Sequence, residues 1–343
     1  MGWSTLAATI KDIAALAGVS RATASRALGG YGYVSEEARK KVLAAAEKLH
    51  YKPHALAKSM VTGRTGTIAL LVADIENPFF AKVARGVSDA ITPDGYNLIV
   101  CSTNENLREE KLAIDGLCQK KVDGLILAPV SYVDVTHLKE LVDQHIPVVL
   151  VDRLVTGVEA DIVAVTNMEG SYEAVRHLVQ SGHERIGFLG DSVSTTAERL
   201  DGYRKALGDA GLAVRDEYVM LGEYSIESGY REAVSLLSGA NRPTAVFAAS
   251  NFMTIGLLTA VKDMGISVPG ELAVVGFDDM DWFQLTTPTI TAVAQPVYEL
   301  GRVAAQRLIR RIAGDTTRPE ITRLPTRLMI RESSGSVIRR IGS

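Results

Sequence analysis

Apolar residues in the first fifty positions recur at helical spacing. Thr9 and Asp12 are spaced as a capping box at the start of the first apolar stripe. Gly18 interrupts that stripe, and Ser20 is placed to cap a second helix. A longer helix follows Ser35. The pattern predicts a short helix, a tight turn, a second helix and then a third, which is typical of a helix-turn-helix unit.

After Thr67 the pattern changes to apolar runs that alternate with amphipathic segments. Continuous runs of Val, Ile, Leu and Ala are typical of parallel strands buried on both faces. The predicted strands are Ile68–Ala73, Leu98–Ser102, Gly124–Ala128, Val148–Val151, Ile162–Val165, Ile186–Gly190, Val219–Gly222, Ala245–Ala249, Ala273–Gly276 and Thr291–Ala294.

Repeated strand–helix alternation predicts an α/β fold with doubly wound parallel sheets. This part of the chain exceeds the roughly 250 residues at which single cores stop growing, so two lobes are expected behind the all-α head.

Composition and charge divide the chain in the same place. The 343 residues are 47% hydrophobic and 22% charged, as in ordinary globular proteins. Residues 1–65 carry ten Lys/Arg and four Asp/Glu, a balance of +6, whereas the remainder has a balance of −9. A basic head on an acidic body indicates a polyanion-binding module, although chance clustering on a solvated surface is the plain alternative.

Several classes of protein are disfavoured by what the sequence lacks. Two cysteines, Cys101 and Cys118, build neither a disulfide framework nor a cysteine metal site, and the histidines show no metal-ligand spacing. There is no long apolar run and no cationic leader, which predicts a cytoplasmic protein. The glycine-rich phosphate loops and the nucleophile elbow of common enzymes are missing. We therefore expect no catalytic site, cofactor or metal.

The second helix of the head presents a face suited to DNA. Arg21, Ala22, Ser25 and Arg26 share its outward side. Arginine can donate two hydrogen bonds to guanine in the major groove, while hydroxyls such as that of Thr23 hold phosphates. A solvated surface on any small helical hairpin would look similar, so the face alone does not decide the function.

An ordered set of motifs runs along nearly the whole chain. Its segments are Thr9–Ala14, Gly18–Leu28, Val34–Arg39, Leu49–Pro53, His54–Met60, Asp74–Phe80, Val122–Leu125, Val151–Arg153, Gly182–His183, Arg199–Tyr203, Arg242–Phe247, Val275–Asp278 and Thr291–Pro296. Together, in this order, they resemble the lactose/galactose repressor (LacI/GalR) family of bacterial transcription regulators.

The resemblance implies a homodimer, with a tetramer left open, that binds a near-palindromic DNA operator. One recognition helix per subunit enters the major groove, and paired hinge helices enter the minor groove. The implied DNA-binding residues are Thr9, Ser20, Arg21, Ala22, Thr23, Ser25, Arg26, His54, Ala57, Lys58 and Met60.

The resemblance also implies a division into domains. Residues 1–53 form the DNA-binding head, 54–66 the hinge helix and linker, and 67–343 the effector-binding body. One lobe of the body combines 67–166 with 296–325, and the other combines 167–295 with 326–343.

The body resembles periplasmic sugar-binding proteins, in which a ligand lies between two lobes at the carboxyl ends of the strands. Carboxylates and arginines there can bind hydroxyls, and aromatic rings can cover the C–H face of a sugar. The expected effector-binding residues are Asp74, Asn77, Phe79, Phe80, Arg153, Thr195, Arg199, Tyr224, Asn251, Asp278 and Trp282.

Departures from the family pattern limit what carries over. Ala22 has no hydrogen-bonding group and offers at most contact with a thymine methyl. Met60 replaces the usual leucine wedge. Relatives commonly carry Asn-Asp after the strand that here ends in Ala249–Asn251, so a carboxylate is missing from this wall of the cleft. Asp152 either touches ligand or holds Arg153 or a backbone amide, and one of Phe79 and Phe80 is also readily explained as lobe packing.

We therefore expect a regulator, most simply a repressor of carbohydrate-use genes, that senses a sugar-like effector. The main alternative keeps the DNA-binding function and replaces the sugar with a purine or a partner protein. A solute-binding protein or an enzyme on the same fold is a more remote alternative.

Overall fold

The head is a three-helix unit. In the computed structural model, which describes residues 8–29, 31–51 and 64–335, its helices are α1 (Ile10–Ala17), α2 (Arg21–Gly29) and α3 (Glu36–Lys48). The capping box between Thr9 and Asp12 forms, and Gly18 ends α1 in the left-handed region at φ 66°, where glycine has no Cβ to strain the backbone. The helix-turn-helix predicted from the sequence is confirmed.

The body contains all ten predicted strands and two more. The strands are β1 (Thr67–Val72), β2 (Asn97–Ser102), β3 (Gly124–Leu127), β4 (Val148–Val151), β5 (Asp161–Val165), β6 (Ile186–Asp191), β7 (Val219–Gly222), β8 (Ala245–Ala248), β9 (Ala273–Phe277), β10 (Thr291–Ala294), β11 (Ile321–Leu324) and β12 (Arg327–Met329).

Helices separate most of these strands. They are α4 (Pro78–Ile91), α5 (Leu107–Gln119), α6 (Thr136–Asp143), α7 (Asn167–Gln180), α8 (Ser194–Asp209), α9 (Ile226–Ser238), α10 (Asn251–Asp263) and α11 (Val297–Ile312). Short 3-10 turns lie at Thr92–Asp94, Asp216–Tyr218, Asp281–Gln284 and Glu332–Ser334.

The strands form two six-stranded sheets. Their orders are β11-β5-β4-β3-β1-β2 and β12-β10-β9-β8-β6-β7. Pairing is parallel except between β10 and β12. Hydrophobic clusters pack on both faces of each sheet. This is the doubly wound α/β architecture with two lobes expected from the sequence. We call the lobe with β1 the first lobe and the lobe with β6 the second lobe.

The chain passes between the lobes three times. The passages lie between β5 and α7, between β10 and α11, and between β11 and β12. In the first lobe α4 packs closely on α11 because two glycines face the partner backbone. A Cβ on Gly86 would lie 2.1 Å from the Tyr298 carbonyl oxygen, and one on Gly301 would lie 2.1 Å from that of Val83.

Candidate functional site

The outward face of α2 carries exposed Arg21, Ala22 and Arg26. Ala24 and Ala27 lie on the opposite face and are buried against α1 and α3. The small core residues let the helix pack closely while its long cationic side chains remain in solvent. The structure thus groups these three predicted DNA-binding residues on one accessible surface.

The hydroxyl groups of the head have local partners. Ser20 Oγ accepts a hydrogen bond from the backbone N–H of Thr23 at 3.0 Å and lies 2.9 Å from Thr23 Oγ1. Ser25 Oγ lies 2.6 Å from the Tyr31 hydroxyl. Ser20 therefore caps α2, and Ser25 positions a tyrosine that the sequence did not single out.

Thr9 also has a structural task. Its hydroxyl and its N–H both donate to Asp12 Oδ2, at 2.6 and 2.8 Å. These hydrogen bonds from the side chain and backbone of Thr9 lower the pKa of Asp12. The predicted hinge residues His54, Ala57, Lys58 and Met60 lie outside the described residues.

In the body, side chains from the two lobes meet in a cleft beyond the carboxyl ends of the strands. Asn77 caps α4 in the first lobe, and its Nδ2 donates to the Tyr224 hydroxyl of the second lobe at 2.5 Å. Asn251 Nδ2 donates to Asn77 Oδ1 at 2.9 Å. The inner cavity that remains is about 20 Å³, roughly the space of one water molecule.

The cleft opens into two larger hollows. One, of about 450 Å³, is lined by Asp74, Glu105, Tyr132 and Tyr224 among others. The second, of about 280 Å³, shares Phe79, Asp278 and Gln295 with the inner cavity. Both hollows adjoin the inner cavity, since the first shares Tyr224 with it and the second shares Asp278.

Asp278 is held by two donors. Its Oδ2 accepts the backbone N–H of Asn251 at 3.1 Å, and its Oδ1 accepts a short hydrogen bond from Gln295 Nε2. Gln295 belongs to the passage between β10 and α11, so Asp278 is bonded to the segment that joins the lobes. Gln295 Oε1 is buried and has no hydrogen-bond partner in the described part of the chain.

Arg153 is buried and largely occupied by protein groups. It makes a two-pronged ion pair with Glu105, and its Nη1 also donates to the Pro129 carbonyl at 3.0 Å. Burial opposes its charge, but the hydrogen bonds and charge of Glu105 outweigh that cost and raise the pKa of Arg153. Its Nε is buried without a hydrogen-bond partner among the described residues.

Arg199 is positioned by neutral groups and an aromatic ring. Its Nε donates to Asn167 Oδ1 at 2.9 Å and its Nη1 donates to the Ala249 carbonyl at 2.6 Å. The guanidinium lies 3.7 Å from the centre of the Phe277 ring. A cation fixed in this way keeps its charge close to the cavity.

Asp152 is the exceptional acid of the cleft. Within the described chain its ion pair is with Arg153 Nε at 3.8 Å, and none of the hydrogen bonds found there reaches its carboxylate. Burial raises the pKa of Asp152 to about 6, with the charges of Asp278 and Glu105 adding to the rise and those of Arg153 and Arg199 opposing it. This carboxyl lines the inner cavity and lacks donors, which is chemistry that a bound ligand can supply.

Aromatic side chains contribute in different ways. Phe79 and Phe80 pack edge to face with centroids 5.0 Å apart, and both line the cavity although they also belong to the first lobe's core. Tyr224 packs against Phe252 at 4.8 Å, and burial raises the pKa of the tyrosine well above its usual value. Trp282 packs instead on Phe283 at 4.4 Å and does not line the cavity in this structure.

Most of the predicted effector residues meet at this cleft. Eight of them line the inner cavity, namely Asn77, Phe79, Phe80, Arg153, Thr195, Arg199, Tyr224 and Asp278. Asp74 lines the hollow of about 450 Å³, and Asn251 donates a hydrogen bond to Asn77. The cleft also contains Asp152, whose role the sequence left open, and four residues that the prediction left out, namely Glu105, Asp191, Ser250 and Gln295.

Asp152 had a signal in the sequence, since it follows β4 directly. Asp191 has a mainly internal role, because it accepts hydrogen bonds from Thr196 and Ser250 at 2.7 and 2.8 Å. No group of histidine, cysteine and acidic side chains suited to a metal ion occurs within the described residues.

The head and the two-lobed cleft together define the class of protein, a helix-turn-helix unit joined to a periplasmic-binding-protein-like body. Residues 9–54 match the family described as bacterial regulatory proteins, lacI family, and residues 175–334 match a periplasmic binding protein-like domain. Catabolite control protein A of Priestia megaterium is 33% identical over 329 residues, which cover 95% of this chain and 99% of that protein.

A second relative is the HTH-type transcriptional repressor PurR of Photobacterium profundum. It is 34% identical, with 95% of this chain and 98% of that protein covered. A solved transcriptional regulator CelR–cellobiose complex matches with TM-score 0.73 and 33% identity, covering 95% of this chain and 99% of that one. The chain belongs to the lacI family of bacterial transcription regulators.

Proposed function

We propose that this protein is a transcriptional repressor of carbohydrate-use genes that binds a near-palindromic operator as a homodimer and responds to a sugar-like effector in its cleft. The observation that carries the proposal is the combination of an exposed Arg21–Ala22–Arg26 face on α2 with a polar, two-lobed cleft in the same chain. No helix in the described residues is both long and apolar enough to cross a bilayer.

The DNA-binding part of the proposal is supported by charge and exposure. The first 65 residues carry a balance of +6, which favours contact with phosphates. Arg21 and Arg26 are accessible for base contacts, and Ala22 offers only a methyl group. Two such heads on a dimer would bind two half-sites related by a dyad.

Charge in the cleft favours an uncharged effector. Among the described residues, the lining side chains include the carboxylates of Asp74, Glu105, Asp152, Asp191 and Asp278 against the guanidiniums of Arg153 and Arg199. Both arginines already bond protein groups. A sugar acid or sugar phosphate would meet net negative charge, whereas a neutral ring with several hydroxyls supplies the donors that Asp152 lacks.

A purine effector is the second candidate. It is supported by the relatives described as PurR, which are 34–35% identical over 95% of this chain. A neutral purine would also avoid the repulsion from the carboxylates, and it would stack on Phe79 or Phe80. The sugar proposal draws support from a solved relative in complex with cellobiose and from another, of Enterococcus faecium, with bound ribose.

Regulation follows from linkage between the cleft and the operator. A ligand that favours one lobe arrangement changes the spacing of the two hinge segments in the dimer, and short helices are marginal enough in water to form or melt in response. Effector and operator must then change each other's affinity by the same factor, typically ~5–150-fold.

The decisive experiment combines two measurements on the purified full-length chain. A thermal-shift panel of neutral sugars, sugar acids, sugar phosphates and purines should show a rise in Tm with neutral sugars, since saturation at 100 times Kd adds about 2.7 kcal/mol of stability. Selection from random duplexes should then enrich a dyad-symmetric sequence, and the effective sugar should change its affinity. A response to purines alone would replace the effector, and failure to enrich any dyad would refute the regulator.

A further inference from the structure

Two of the three passages between the lobes lie side by side and are bonded to each other. The N–H of Thr166 donates to the Leu324 carbonyl at 3.0 Å, and the N–H of Thr326 donates to Thr166 Oγ1 at 3.0 Å. Thr326 Oγ1 donates in turn to the Thr166 carbonyl at 3.2 Å. Any change of lobe angle must act on this paired segment, because residues 165–167 and 324–327 join the two sheets.

A continuous set of hydrogen bonds runs from the cleft to this paired segment. Arg199 Nε donates to Asn167 Oδ1 at 2.9 Å, and Asn167 Nδ2 donates to Glu198 Oε2 at 2.9 Å. Arg323 Nη2 donates to Glu198 Oε1 at 3.0 Å, and Arg323 Nη1 donates to the Val165 carbonyl at 3.4 Å. Asn167 is fully buried and uses both its oxygen and its nitrogen in this set.

The ion pair at the end of this set crosses between lobes. Glu198 lies in α8 of the second lobe, whereas Arg323 lies in β11 at the edge of the first lobe's sheet. Arg199, the next residue of α8, points its guanidinium into the cleft. Adjacent residues of one helix therefore contact the candidate ligand site and the opposite lobe.

We propose that Glu198 and Arg323 are positioning residues that fasten the lobe arrangement seen here and, through Asn167, fix the guanidinium of Arg199 in the cleft. The regulatory meaning of this pair rests on the proposed function. If an effector contacts Arg199, the continuous hydrogen bonds described above couple that contact to the lobe angle at residues 165–167. Glu198 and Arg323 are positioning residues because each acts through another side chain.

The expected strength suits a switch. The side chains of Glu198 and Arg323 are 26% and 37% exposed, so water screens the pair and its loss should change the equilibrium between lobe arrangements by roughly 2- to 5-fold. A ligand that rearranges Arg199 needs a comparable preference to offset the loss of this pair. A stronger pair would require a correspondingly larger difference in the ligand's affinity for the two lobe arrangements.

The test follows hydrogen exchange in the full-length protein and needs neither operator nor effector. In Glu198→Gln, the backbone amides of Thr166 and Thr326 should exchange roughly 2- to 5-fold faster, measured by mass spectrometry on peptides that span 162–168 and 322–328. The Nε–H of Arg199, assigned in NMR spectra by its loss in Arg199→Lys, should exchange faster with water as well. If the pair were a surface ion pair with no effect on Arg199, the exchange rate of that Nε–H would not change.

Matched variants make the result specific. Asp201→Asn removes an acid from the same helix whose partner, Arg204 at 3.7 Å, lies within that helix, and it should leave both readouts unchanged. Arg323→Gln should reproduce Glu198→Gln, the double variant should add little, and Arg323→Lys should largely restore slow exchange.

The proposal is overturned if Glu198→Gln and Arg323→Gln leave hydrogen exchange unchanged, both at the backbone amides of Thr166 and Thr326 and at the Nε–H of Arg199. That result would leave the proposed regulator intact. Conversely, if the protein selects no dyad-symmetric duplex, the proposed regulator is refuted. The role of Glu198 and Arg323 in fastening the lobes would still stand.

Discussion

Asp152 and Asp278 occupy equivalent positions in the two lobes. Each directly follows a central strand, β4 or β9, and each has a left-handed backbone with φ of 71° and 70°. The N–H of Asp152 donates to the Val163 carbonyl at 2.9 Å and that of Asp278 to the Val293 carbonyl at 3.0 Å. Both lobes therefore present a carboxylate to the cleft by the same local geometry, and the two negative charges oppose each other.

Asp152→Asn should stabilise the protein in a pH-dependent way. Because the pKa of Asp152 rises from an ordinary value near 3.8 to about 6 in the folded chain, folding disfavours its ionised form. The penalty is absent below pH 3.8, develops between pH 3.8 and 6, and is complete above pH 6. The gain in unfolding free energy should reach up to ~3 kcal/mol above pH ~6, measured by urea unfolding. Asparagine accepts the left-handed backbone as readily as aspartate does.

The control for this prediction is Asp263→Asn on the exposed end of α10. It should change the unfolding free energy by less than about 0.5 kcal/mol at every pH. A gain in Asp152→Asn that is equal at about pH 4 and about pH 7.5 would show that the carboxyl carries no burial penalty.

Asp278→Asn should remove the effector response and preserve operator binding by the ligand-free protein. An amide presents one acceptor where the carboxylate accepts from both Asn251 and Gln295, and it brings no negative charge to ligand hydroxyls. Loss of a charged hydrogen bond costs about 1.5–3 kcal/mol, or roughly 10- to 150-fold in Kd. Calorimetry with the sugar that gives the largest thermal shift measures this change.

Asp281→Asn is the matched comparison for that prediction. Asp281 is 89% exposed and pairs with Lys82 at the edge of the cleft. Its variant should retain the affinity within about 2-fold. If Asp278→Asn binds the sugar with the affinity of the unmodified protein, the effector does not contact Asp278 and its binding site lies elsewhere.

Glu110→Ala should destabilise the first lobe. Glu110 is fully buried in α5, accepts the backbone N–H of Val130 at 2.8 Å, and lies 2.7 Å from His137 Nε2, which donates because a carboxylate only accepts. Its removal leaves the buried His137 Nε2 and the half-buried Val130 N–H without partners, at about 1–3 kcal/mol each. We expect a loss of about 3 kcal/mol in unfolding free energy, measured by urea titration.

Neighbouring Glu109 provides the control because it is exposed on the same helix. Glu109→Ala should cost less than about 0.5 kcal/mol, and Glu110→Gln should cost less than Glu110→Ala because the amide keeps one acceptor. Equal stability of Glu109→Ala and Glu110→Ala would contradict the assigned hydrogen bonds.

The strands were predictable from the sequence where burial is two-sided and less so at the edges. The ten predicted strands all form, because continuous apolar runs are buried from water when helices cover both faces of a parallel sheet. Strands β11 and β12 were not predicted, since Ile321–Leu324 and Arg327–Met329 alternate exposed and half-buried residues around arginines. Edge strands of this kind lack a long apolar run and depend on their neighbour for pairing.

The cleft was predictable to the extent that its residues follow strands. Asn77, Arg153, Asn251 and Asp278 come after strand ends, and parallel strands collect such residues on one side. Partnerships across long distances in sequence were not predictable. Arg153 was expected to bind ligand, but it forms an ion pair with Glu105 instead. The two residues are far apart in sequence, so this pairing is seen only in the tertiary structure.

Arg26→Ala tests the DNA-binding surface at a residue that the structure leaves exposed on α2. Loss of two hydrogen bonds to a guanine should cost about 1–3 kcal/mol on the selected operator and much less on unrelated DNA. Fluorescence anisotropy at fixed salt measures both affinities. Lys40→Ala, an exposed cation of α3 that lies 4.0 Å from Glu36, controls for the loss of one positive charge and should weaken binding to all duplexes alike. If the two variants lose affinity equally on specific and unrelated DNA, Arg26 contributes charge only and does not read a base.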